Sequence, residues 1–84
     1  MDLPLISQLR SRLESILLVL DSPASVESLA RALGAERDVV SDCLRSIQRE
    51  LDSRGSGIDL RETQEGWRFY TRTENAGAVE EFLL

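Results

Sequence analysis

Few side chains in this sequence can do covalent or acid–base chemistry. Its 84 residues include fifteen carboxylates, ten arginines and one cysteine, Cys43, with no lysine and no histidine. Without histidine, neither a Ser-His-Asp set nor a zinc site of ordinary type can be assembled within the chain. Cys43 has no second thiol for an intramolecular disulfide and no histidine or lysine to activate it. Glu80 and Glu81 form an acid pair without a pocket, and no glycine-rich phosphate loop is present. The expectation is a protein without catalytic residues, metal or cofactor, and not an enzyme. The remaining candidates are arginines that can meet phosphate: Arg45 and Arg49, then Arg61, Arg68 and Arg72. Against them stands a net charge of −5, where a nucleic-acid binder ordinarily carries a basic surplus that releases counterions.

The elements that position these arginines follow from apolar spacing. Val26, Leu29, Ala30 and Leu33 recur at helical intervals, and Val40, Leu44, Ile47 and Leu51 do so again. Ser25 is a good N-cap for the first of these helices, and Gly34 suits the left-handed residue that ends it. Two amphipathic helices joined at a glycine make a helix-turn-helix, read here as residues 26–33 and 37–52. Opposite the apolar stripe of the second helix lie Asp38, Asp42, Arg45, Arg49 and Asp52. The wheel pairs Asp42 with Arg45 and Arg49 with Asp52 at i,i+3. Three acids on the face that would enter a major groove favour a solvated or protein-contacting surface, with base readout by Arg45 or Arg49 as the alternative. Cys43 flanks the stripe and reads as a small core residue.

Upstream, residues 5–20 read as a first helix with Leu5, Ile6, Leu9, Leu13, Ile16, Leu17 and Leu20 on one broad face. Leu18 points almost opposite that stripe and Val19 sits on its flank. They mark either a partner surface, together with Leu3, or a contact with the wing or tail of the same domain. Pro23 ends this helix region. Downstream, Ile58 and Leu60 alternate with Asp59 and Arg61, and Trp67 and Phe69 with Arg68 and Tyr70. That period predicts strands over residues 58–63 and 67–72, joined at Gln64-Glu65-Gly66. Ile58, Leu60, Trp67 and Phe69 are expected to cover the helices, with Arg61, Arg68 and Arg72 outward near Asp59, Glu62 and Glu65. Thr73 is expected to cap a short tail helix over 74–84, ending on apolar Phe82-Leu83-Leu84, as if more protein followed. No apolar run approaches the roughly 20 residues of a membrane span, so a cytoplasmic location is expected. The fold class is mainly α with a small β-hairpin (α+β), a single winged helix-turn-helix domain over residues 1–84.

Two stretches carry a more specific likeness. Ile16-Leu17-Leu18-Val19-Leu20-Asp21-Ser22-Pro23-Ala24-Ser25, followed by Leu29-Ala30-Arg31-Ala32-Leu33, resembles the opening of the bacterial segregation and condensation protein B family. Ile58-Asp59-Leu60-Arg61-Glu62, then Gly66-Trp67-Arg68-Phe69-Tyr70-Thr71, resembles that family's wing. Together these cover the first of the two tandem winged helices such proteins carry. The resemblance implies a non-enzymatic subunit of a condensin-like complex in chromosome condensation and segregation. It implies a homodimer whose partner is the kleisin subunit, segregation and condensation protein A, and through it the SMC ATPase at the nucleoid. It also implies little direct DNA binding. A winged-helix transcriptional regulator, with Arg45, Arg49, Arg61, Arg68 and Arg72 on DNA, is the competing reading.

Overall fold

The computed structural model describes the backbone from Leu5 to Leu84 and side chains from Gln8 onward; Leu3, Leu5 and Ile6, named above for their side chains, fall outside that description. Four helices and one hairpin follow in chain order. They are α1 (Leu5–Val19), α2 (Val26–Leu33), α3 (Arg37–Ser53), β1 (Ile58–Thr63), β2 (Gly66–Thr71) and α4 (Ala76–Leu83), with a 3-10 turn at Thr73–Asn75 before α4.

Local chemistry sets the ends of α2. The Ser25 hydroxyl accepts from the Ser28 amide at 3.1 Å, satisfying one of the free donors of the first turn. At the other end Gly34 adopts φ 60°, ψ 37°. The amides of Gly34 and Ala35 then donate back to the Arg31 and Ala30 carbonyls, the paired bonds of a Schellman closure. A side chain at Gly34 would meet no neighbour, so its backbone conformation is what demands glycine.

Three helices and the hairpin share one core. Leu13 and Leu17 of α1, Leu29 and Ala30 of α2, and Val40, Cys43, Leu44, Ile47 and Leu51 of α3 are buried together with Leu60 and Trp67. Each large apolar side chain so buried contributes about 1.5–3 kcal/mol relative to exposure. Leu9, Ile16, Leu20, Ala24, Val26, Leu33, Ala35 and Phe69 pack around this centre.

The hairpin is antiparallel, with Leu60 opposite Phe69, Arg61 opposite Arg68, and Glu62 opposite Trp67. Its β1 side is tied to α3, where Gln48 donates to the Leu60 carbonyl at 2.9 Å. Its β2 side is met by the segment that leaves α1. Ala24 and Trp67 exchange both backbone hydrogen bonds, at 3.0 and 2.8 Å. Gly66, at φ 133°, lies so close to that segment that a Cβ would overlap the Ala24 carbonyl.

Two expectations need correction. Ile58 is 44% exposed, because it starts β1 opposite exposed Thr71, at the end of the hairpin away from the turn. The chain after the wing forms the 3-10 turn, so α4 begins at Ala76 and no side chain caps it.

Candidate functional site

Three surfaces carry the residues singled out from the sequence. On the last turn of α1, Leu18 is 76% and Val19 78% exposed. Neither rests on the wing or tail of its own domain. Helical geometry explains this: Leu17 points into the core, and the next two residues turn 100° and 200° away from it. Leu3, the third candidate of that surface, lies outside the described residues.

On the outward face of α3, Arg45 and Asp52 are paired with the domain's own wing. Arg45 reaches Glu62 of β1 at 3.1 Å instead of Asp42. Its guanidinium also sits 5.3 Å from the centre of the Trp67 ring, which favours a cation by the ring quadrupole. Asp52 pairs with Arg72 at 2.8 Å instead of Arg49. Arg72 also bonds the Ser56 carbonyl at 2.9 Å and approaches Asp59 at 3.4 Å. The Asp52 hydrogen bond, with help from Asp59, raises the Arg72 pKa further above its already high value. The wheel could not show these pairs because it compares residues of one helix, whereas both partners come from across the chain. Arg49 has no ion pair among the described residues.

The outer face of the hairpin gathers Asp59, Arg61, Arg68 and Tyr70. Arg61 and Arg68 are direct cross-strand neighbours, a like-charge pairing that needs compensation. Arg61 finds it in Asp59 at 3.3 Å and in the Tyr70 ring at 4.1 Å. Arg68 lies 6.0 Å from the same ring and has no ion pair among the described residues. Arg45, Arg61 and Arg72 are thus committed to carboxylates of the same domain, and the five arginines do not share an acid-free surface.

A groove between α1 and α3 was not legible from the helical wheels. It encloses about 380 Å³ and is lined by Leu9, Arg10, Val39, Asp42, Cys43 and Ser46. Its one early sign was Val39, apolar but off the α3 stripe. Arg10 bridges the two helices by donating to the Ser46 hydroxyl at 3.1 Å. Burial pushes the Cys43 thiol pKa up, against the pull of nearby Arg10, so the cysteine is held as an unreactive thiol.

These features coincide with a known group of proteins. The sequence model described as "Segregation and condensation complex subunit ScpB" matches residues 11–84. A segregation and condensation protein B from Myxococcus xanthus is 33% identical over 76 residues, covering 90% of this chain and 23% of that protein. The crystal structure of ScpB from Mycobacterium tuberculosis superposes with a TM-score of 0.92 at 42% identity, covering 99% of this chain and 51% of that one. A dimer of an ScpB N-terminal domain complexed with ScpA peptide gives a TM-score of 0.84 at 18% identity, covering 94% of this chain and 92% of that one, a likeness of fold. The chain spans about a quarter of the relative from Myxococcus and about half of the Mycobacterium structure. With the match running through nearly the whole of the described fold, the chain belongs to the family of the segregation and condensation complex subunit ScpB.

Proposed function

We propose that this domain is a non-enzymatic subunit of a bacterial SMC–kleisin complex, acting in chromosome condensation and segregation in the cytoplasm. It works by forming a homodimer and binding the kleisin. The family match over residues 11–84 carries this reading. The placement of the arginines supports it: a winged helix in which Arg45, Arg61 and Arg72 are paired with acids of the same domain is suited to protein contact. The dimer surface is assigned to Leu18 and Val19, since two neighbouring apolar side chains this exposed gain from association. Such a subunit gives the complex a rigid surface and leaves ATP chemistry to the SMC partner.

Sedimentation velocity across a concentration series tests the dimer. The wild-type domain should shift to the mass of two chains, and Leu18→Glu should remain a monomer with an unchanged circular dichroism spectrum. A wild-type domain that stays monomeric at high concentration refutes the assigned surface. Co-elution with the kleisin encoded in the same genome tests the other half. Failure of the dimeric domain to retain it sinks the condensin reading.

A further inference from the structure

Both edges of the hairpin are closed only in part, the β1 edge by α3 and Ser56 and the β2 edge by Ala24. In an antiparallel ladder, residue pairs alternate between exchanging hydrogen bonds and leaving their backbone groups pointed outward. Arg72 donates to the Gly57 carbonyl, so Arg68 and Tyr70, in phase with it, bond β1. Trp67, Phe69 and Thr71 therefore turn their N–H and C=O groups away from β1. At Trp67 these groups are taken by Ala24. At Phe69 and Thr71 they have no backbone or side-chain partner among the described residues. On the far edge, Gln48 of α3 occupies the corresponding Leu60 carbonyl. The result is a short open edge on β2, continuing from the bridge that Ala24 begins.

We infer that this edge receives an extended segment of a partner protein, added as a strand beside β2, with carboxylate and apolar side chains alternating along it. Strand addition supplies main-chain hydrogen bonds, and alternate side chains give it specificity. The residues flanking the edge set the chemistry of those side chains. On the outer face an added strand meets Arg68, which has no ion pair among the described residues, with Tyr70 next to it. A carboxylate fits there. On the inner face it meets Phe69, half-buried against the core, where an apolar side chain fits. A second copy of this chain is a poor occupant. Antiparallel pairing of β2 with itself would set Arg68, Tyr70 and Arg72 against the same three residues, and like charges directly across a sheet are destabilising. The inference rests on the reading of the domain as a subunit that grips a kleisin chain, and it names where and how the grip is made.

Residue-resolved hydrogen exchange of the domain, with two blocked heptapeptides as probes, tests it. One peptide alternates valine with glutamate and the other valine with lysine. In the free domain the Phe69 and Thr71 amides should exchange much faster than those of Arg68 and Tyr70; slow exchange at both overturns the open edge. The glutamate peptide should protect Phe69 and Thr71, and the lysine peptide should not. Arg68→Glu, at a surface position, should weaken the glutamate peptide about tenfold, the effect of losing one charge-assisted contact, and should admit the lysine peptide. Protection at neither amide, or equal protection by both peptides, refutes the inference. Kleisin co-elution separates this from the broader reading. Retention undiminished by Arg68→Glu removes the edge as the seat while leaving the condensin reading standing. A wild-type domain that does not retain kleisin removes that reading, and the peptides still decide the edge.

Discussion

At Gly66 the chain passes its own backbone at a separation no side chain tolerates, and φ 133° adds a conformation that L-residues rarely adopt. Gly66→Ala must either push the Ala24 segment off β2 or distort the turn. The expected cost is on the order of 2–4 kcal/mol from strain and overlap together, read as a lower urea midpoint. A change under about 0.5 kcal/mol would show that the Ala24–Trp67 bridge yields freely. Cys43 offers a second residue-scale test. Burial is the largest influence on its thiol and raises the pKa, Arg10 opposes this and Glu14 adds to it. A folded-state pKa above the unfolded value of about 8.5 means the neutral thiol contributes its full stability below that pH. The contribution is lost as pH rises from there through the folded pKa. Denaturant melts should therefore weaken on the alkaline side, and Cys43→Ala should flatten that part of the decline. A single sequence pointed to the burial of Cys43 because its distance from the Val40–Leu44–Ile47 stripe is a matter of helical angle. The reason for Gly66 was hidden, because Ala24 is brought to it by folding and by no local pattern.

Among the elements, α3 is the one to which the wing is fastened. Arg72 joins Asp52 near the end of α3 to Asp59 of β1 and to the Ser56 carbonyl between them, while Arg45 joins mid-α3 to Glu62. Both arginines belong to the wing's attachment, whereas the sequence placed them among candidate phosphate contacts. Arg72→Ala should raise hydrogen exchange in β1 and β2 while leaving α2 unchanged. Arg54 makes a useful contrast, since its pair with Glu50 is local, exposed and i,i+4. Arg54→Ala should change stability by no more than about 0.5 kcal/mol. Equal exchange profiles for the two variants would show that the Arg72 cluster does not hold the wing.

For the whole molecule, the balance of charge is the deciding quantity. A net charge of −5, with three of the five candidate arginines paired to the domain's own acids, leaves little to replace the counterions of a duplex. Fluorescence anisotropy with duplex DNA at physiological salt should give a Kd weaker than about 10⁻⁴ M, the loose end of non-specific binding. Arg45→Ala and Arg68→Ala should leave the curve unchanged. Submicromolar binding that falls with salt and with both substitutions would restore the regulator reading. Large apolar side chains left exposed include Leu18 and Val19 at the end of α1, and Phe82, 89% exposed, at the end of α4.

Order of elements, the buried stripes of α2 and α3, that of α1 from Leu9 onward, and the fold class followed from the sequence by itself; the apolar residues of α4, with Phe82 and Leu83 exposed, did not find a core. Helical and strand periodicity, a serine cap and a glycine closure are local signals that act within a few residues. That Leu18 and Val19 leave the core stripe belongs here too, because a helix that buries Leu13 and Leu17 turns its next two residues away; that they stay exposed, clear of the wing and tail, was decided by the packing. Which arginine meets which carboxylate, why Gly66 must be glycine and where Ala24 closes the β2 edge were decided only in the tertiary structure. Each depends on groups far apart in the chain, Arg45 with Glu62, Arg72 with Asp52, Ala24 with Trp67. Their meeting is set by how α1, α3 and the hairpin pack around one core.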